Sequence, residues 1–384
     1  MIAPILALVL HTLDAKADLA AANAGLASVE TYPHDSPRDC VGDALEKFEA
    51  LEEIPRYARA AYAGAGKCLM MQGYFQDAAE AFHKAGSALE AQAKEADEVS
   101  DAIGELLPAK FVIDQLRQIP GSDTWVAMFG VSEDHARAPD DGLERLALYR
   151  YDPVRRKATQ IGTAKETHDY FTSERCTLYL THLTATDPNW HALALCEFYG
   201  DRVPVYVQLY DIRPKGLHFV QELQSTSGMS IYGPTRKSGL VVEGSLNWKL
   251  SWDDAFEWEG RGFFFANSRH PELFPLPESG SGGEVEADAW PDDLKNACSF
   301  AIHKRFSDAM KSLKLAAREC VRRVHDNPDR LDFDEQFFGG PDGALPLIRR
   351  RIKWLRGRDY NHDLLYQPID DDMLWTPIGG ATGR

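Results

Sequence analysis

The 384-residue sequence predicts an α+β multidomain protein: N-terminal α-helical hairpins, a central antiparallel β meander or sandwich, and C-terminal helices. Three observations predict it. Small residues and aromatics recur at helical spacing between Tyr62 and Ala85. Beyond Pro120-Gly121-Ser122-Asp123 the pattern becomes short apolar and aromatic runs divided by turns. After a Pro-, Gly-, Ser- and Glu-rich stretch, helical spacing returns. The expected segments are a signal peptide at 1–17, a helical domain at 18–120 and a β domain at 121–270. A linker at 271–291, a helical segment at 292–358 and an irregular tail at 359–384 complete the chain.

Taken in order, the chain opens with an apolar run, Ile2 to Leu10, followed by the small-x-small patterns Ala15-Lys16-Ala17 and Ala22-Asn23-Ala24. This reads as a secretory signal and implies a periplasmic or secreted product. No Lys or Arg precedes the run, and a helix docked on the neighbouring hairpins is the alternative, with a cytoplasmic product. Residues 25–39, with two prolines and several turn formers, read as an irregular lead-in. Helices follow near 42–51 and over 62–85, and then an Ala- and Glu-rich helix reads as a cap for the array.

Tyr62, Ala65, Gly66 and Leu69, then Gly73 at the turn and Ala78, Phe82 and Ala85 beyond it, carry a resemblance to one tetratricopeptide repeat (TPR). A shift of 34 residues, the period of that family, sets Asp43, Ala44, Glu46 and Phe48 over Asp77, Ala78, Glu80 and Phe82. The family's closing Pro is missing. The resemblance implies a non-enzymatic protein whose groove, lined by Tyr62, Ala63, Lys67 and Met70, takes a protein or peptide segment. It covers about a tenth of the chain, so the implied function is analogy.

In the central region TWVAMFGV, RLALYRY, KATQIG, TLYLTHL, HALALCEF, VPVYVQLYDI, LHFVQEL, GLVVEG, LNWKLSW, AFEWEG and GFFFA read as strands. Short connections imply antiparallel meander pairing, with an incomplete propeller as a variant. Cys176 and Cys196 flank the turn Asp187-Pro188-Asn189 near-symmetrically, which fits a cross-strand disulfide where register holds, and Cys40 and Cys68 form a second candidate pair. All six cysteines being reduced and buried is the other reading. Trp248, Trp252, Phe256 and Trp258 share strand parity, as sheet core or as a stacking platform.

Toward the C-terminus, Phe306, Asp308, Ala309, Leu313 and Ala316 repeat the spacing of Phe75 to Ala85, which fits either a third hairpin or an unrelated helical pair. Leu345, Ile348, Ile352 and Leu355 line one face of a helix whose other face carries Arg349, Arg350, Lys353 and Arg356. Pairing of these cations with the Asp-rich flanks at 326–335 and 370–372 is the simplest account of them.

Composition limits the function classes. A net charge of −17 argues against nucleic acid and anionic lipid as partners, and no later apolar run has transmembrane length. Nucleophile elbows, zinc-protease signatures, paired Cys-x-x-Cys and phosphate loops are missing, so no catalytic residue, cofactor or metal is expected. His168, His182, His191 and His218 are spaced so as to suggest no face shared with a carboxylate. Two other readings stay open: an inhibitor or immunity protein against a secreted enzyme, and an extracytoplasmic hydrolase built on residues such as His218, Asp211 or Glu243.

Overall fold

The computed structural model describes residues 15–27, 37–131, 145–164, 175–197, 205–225, 228–247, 252–277, 290–326 and 340–368. Helices α1 (15–27), α2 (Pro37–Glu52), α3 (Ala58–Gln72), α4 (Phe75–Ala85) and α5 (Leu89–Gly104) come first. Strands β1 (Phe111–Gln118), β2 (Thr124–Val131), β3 (Arg145–Asp152) and β4 (Lys157–Thr163) form an antiparallel sheet in sequence order. The second sheet is likewise a meander of β5 (Arg175–Thr181), β6 (His191–Glu197), β7 (Val205–Arg213) and β8 (Gly216–Ser225). The third has the order β12-β11-β10-β9, from β9 (Met229–Tyr232), β10 (Val241–Asn247), β11 (Trp252–Trp258) and β12 (Phe263–Phe265). Helices α6 (Trp290–Ile302), α7 (Phe306–Asp326) and α8 (Gly340–Gly357) follow. Two compact units divide at Leu240/Val241. No described helix is long and apolar enough to cross a membrane.

In the first unit the helices pack by placing aromatic rings where a neighbour has no side chain. A Cβ on Gly64 would lie 2.3 Å from the Phe48 ring, and one on Gly66 would lie 2.7 Å from Phe82. Both rings are almost wholly buried, so glycine at these places lets helices approach to backbone contact. Gly73 ends α3 at φ 84°, and its amide reaches back to the Leu69 and Met70 carbonyls. A side chain there would also meet the Asp114 carbonyl of β1 at 2.8 Å.

The first sheet is buried on both faces. Trp125, Ala127, Phe129, Ala147, Tyr149 and Tyr151 pack on Phe75, Ala96, Val99 and Ile103 of the helices. Val126, Met128, Leu146 and Leu148 pack instead on Cys176, Leu178, Ala192, Ala194 and Tyr210 of the second sheet. This double burial is why β2 and β3 read as continuous apolar runs instead of alternating ones. A β-bulge at Asp114 turns Gln115 toward the second sheet, where its Nε2 donates to Cys176 O at 2.7 Å and its Oε1 accepts from Leu178 N at 2.8 Å. One buried amide thus substitutes for a strand at the β5 edge.

In the second unit Leu294, Ala301, Leu313, Ala316, Ile348 and Ile352 form the shared core of α6, α7 and α8. The segment after α8 is part of that core. Buried Arg351 donates from Nε to Leu364 O at 2.5 Å and from Nη2 to Gln367 O at 2.8 Å. Asn267 Nδ2 donates to Tyr366 O at 3.0 Å and to Asp254 Oδ1 at 2.7 Å, while Trp252 Nε1 donates to the same Asp254 oxygen at 3.1 Å. Burial pushes the Asp254 carboxyl up to about 7 against the opposing pull of those two donors.

Several expectations need correction. Residues 15–27 are helical, with Ala22 and Leu26 buried against Ala44, Phe48, Ala65 and Cys68, and α2 begins at Pro37, so the lead-in expected to be irregular over 25–39 is helical at both ends. Both small-x-small patterns fall inside α1. Strand β1 lies within the stretch assigned to the helical domain, because its bulge interrupts the two-residue alternation. The linker expected at 271–291 is anchored at its start. Phe274 stacks on Trp252 at 5.3 Å, and Pro275 O and Phe274 O accept from Ser299 and His303 at 2.7 Å each. The tail from 359 begins ordered, with Leu364 and Leu365 buried. Residues 326–335, 370–372 and Trp248 involve side chains outside the described residues.

Candidate functional site

Helices α3, α4 and α5 enclose a pocket of about 280 Å³ lined by Lys67, Met70, Met71, Phe82, Leu89 and Gln92. Its existence follows from the packing. Gly66 admits the Phe82 ring, which draws α4 onto α3, and the unbranched Met70 and Met71 leave space that a β-branched residue at the same place would fill. Leu89 and Gln92, one helical turn apart, close the third side. The lining is mainly apolar, with one cation and one amide for orientation. At this volume it suits one large apolar side chain rather than a nucleotide or other extended cofactor.

Of the four residues expected to line the groove, the structure brings Lys67 and Met70 into this pocket. Tyr62 stands elsewhere, with the Lys84 ammonium 5.4 Å from its ring centroid and a hydrogen bond to Glu52. Ala63 is half-buried and does not line the pocket. Met71, Phe82, Leu89 and Gln92 were not singled out. Phe82 reads as core in the sequence, and α5 reads as a cap without any sign that it walls a cavity.

A second constellation overturns the expectation that the β-region histidines share no face with a carboxylate. Thr181, His191, Asp211 and His218 are successive partners across β5 to β8 and so lie in one row on one face. His191 Nε2 is 2.9 Å from Asp187 Oδ2, and Nδ1 is 3.1 Å from Asp211 Oδ1, a separation that permits attraction though the angle is off the hydrogen-bond line. Arg213 Nη2 holds the other Asp211 oxygen at 2.8 Å. Burial opposes ionisation of Asp187, yet hydrogen bonds from Asn189 N, His191 and Leu183 N outweigh it and hold this carboxyl below the usual range. Strand register created the row, and sequence distance concealed it.

With both ring nitrogens facing carboxylates, His191 is arranged to pin the Asp187-Pro188-Asn189 turn rather than to accept a substrate proton. His218 is exposed opposite Asp211, and Glu243 belongs to the other unit, where it pairs with Ala255 on β11. A comparable clamp in the second unit sets buried His270 between Glu257 at 3.1 Å and Glu272 at 3.2 Å. Among the described residues no His, Cys, Asp or Glu group converges as a metal-ligand set.

Cys176 and Cys196 face each other across β5 and β6 and are disulfide-bonded. The Cys40 side chain lies outside the described residues, while Cys68 is buried beside Phe48 and Ala65. On β11, Phe256 and Trp258 are buried edge-to-face on Phe265 and Phe263, so these aromatics are core and not an open platform. Comparison of the chain with known protein families, curated proteins and solved structures finds no match.

Proposed function

We propose that this is a non-enzymatic TPR-type binding protein in which the α3–α5 pocket receives an apolar side chain of a peptide or protein partner. The observation that carries the reading is the Met70, Met71, Phe82 and Leu89 lining beside Lys67 and Gln92. Methionines re-pack around differing side chains at small cost, which suits a pocket that takes a class of residues. The Cys176–Cys196 disulfide supports an exported protein, since such bonds persist in oxidising compartments. If processing occurs, a cut after Ala17 removes buried Ala15 from the Leu51, Tyr57 and Ala61 cluster, and a cut after Ala24 also removes buried Ala22 from the Phe48 cluster.

Selection of displayed peptides on the purified protein tests the reading. Enriched sequences should share one Leu, Phe or Met. Gln92→Trp, at an exposed helical position beside the pocket, should abolish their binding while leaving the circular dichroism unchanged. Peptides that bind this variant as well as the parent, or no enrichment at all, would remove the pocket from the function.

A further inference from the structure

Outside the pocket, the feature with least explanation is the outward side of the C-terminal helices. Residues 340–358 hold six Lys or Arg against one Asp, in a chain whose net charge is −17. Of these, Arg351 is consumed by the Leu364 and Gln367 carbonyls. Arg349, Arg350, Lys353 and Arg356 are exposed, and among the described residues none of the four has an ion-pair partner. Their spacing of three and four residues makes one stripe about 10 Å long at 1.5 Å per residue. A helix face that meets only solvent needs no such consistent sign.

We infer that this exposed stripe of α8 is a second docking surface and that its occupant is a short acidic peptide segment. Arginine guanidiniums pair with carboxylates through two parallel hydrogen bonds, and three arginines with one lysine in a stripe match carboxylates spaced along a peptide. Charge selects the peptide over an anionic membrane. An extended anionic surface also meets the acidic remainder of the molecule and is repelled by it, whereas a short peptide senses only what lies within a Debye length of about 8 Å.

The test is fluorescence anisotropy of the full-length protein with a labelled peptide of alternating Glu and Leu, beside a Lys/Leu peptide and phosphatidylserine vesicles. Saturable binding of the Glu/Leu peptide alone is expected, weakened about tenfold between low and moderately high salt. Joint replacement of Arg349, Arg350, Lys353 and Arg356 by Glu should abolish it. These positions are exposed, so the melting temperature should stay within a few degrees of the parent. No binding, binding that survives the charge reversal, or preference for vesicles would each overturn the proposal. So would binding that appears only when Asp370, Asp371 and Asp372 are changed to Asn, since the chain's own tail would then be the occupant.

Discussion

The two sets of helices solve the same packing problem by opposite means. In α1 to α5 the close contacts are made by absence: Gly64 and Gly66 leave room for Phe48 and Phe82, and the apolar pocket is what remains between the helices. In α6 to α8 the contacts are made by bulk, with Trp290, Leu294, Leu313, Ile348 and Leu355 filling the core and a buried Arg351 fastening the chain that follows. In α6 to α8 branched side chains fill the shared core, and the exposed cations of α8 lie outside it. The difference separates two helical regions that share a residue spacing, since Ala309, Leu313 and Ala316 are buried on α7 much as Ala78, Phe82 and Ala85 are on α4.

The comparison breaks most visibly if the rings are not what hold the first stack together. Phe48→Ala should cost about 4 kcal/mol, because the ring is wholly buried and two rigid helices cannot collapse into the void. Hydrogen exchange resolved by peptide should show the loss in α1 to α3 while α6 to α8 keep their protection. Equal loss of protection in both regions would contradict independent packing. In the other direction, Arg351→Ala should cost about 3 kcal/mol by leaving the Leu364 and Gln367 carbonyls without their donor. Exchange should then rise at 363–368 and not in α3 or α4.

A pH titration sharpens the contrast further. Because the folded-state value of Asp254 is raised from 3.8 to about 7, the native second unit holds a proton that the unfolded chain has released. Its contribution to stability is therefore full below pH 4, falls as pH rises toward about 7, and is constant above. Thermal unfolding should show this decline, on the order of a few kcal/mol, and Asp254→Asn should flatten it. The smallest effect expected is for Gly66→Ala. The added methyl presses on Phe82 but brings better helix propensity, so the net cost should be about 1 kcal/mol, read from a denaturant midpoint.

Much of the architecture was legible because it depends on neighbours in sequence. The strands over 124–131 and 145–151 and the turn at Asp187-Pro188-Asn189 were visible as local patterns, as was the Cys176–Cys196 pairing near-symmetric about that turn. What escaped detection has a shared cause. Strand β1 hides behind a bulge, and the Thr181-His191-Asp211-His218 row needs the register of four strands to exist. At the pocket, Lys67 and Met70 are residues that the TPR resemblance named, while Leu89 and Gln92 come from a helix whose docking no local rule specifies.

By itself the sequence determined the local geometry: which stretches coil, which extend, and where glycine is obligatory, as at Gly73 with its φ of 84°. Backbone sterics and apolar period act over a few residues and can be read there. Only the tertiary structure decided that α5 walls a cavity, that Gln115 completes the β5 edge and that Arg351 is buried while its neighbours Arg349 and Arg350 face water. Those outcomes depend on distances between residues far apart in the chain, and hydrophobic burial, being non-directional, fixes them only when the whole core is assembled.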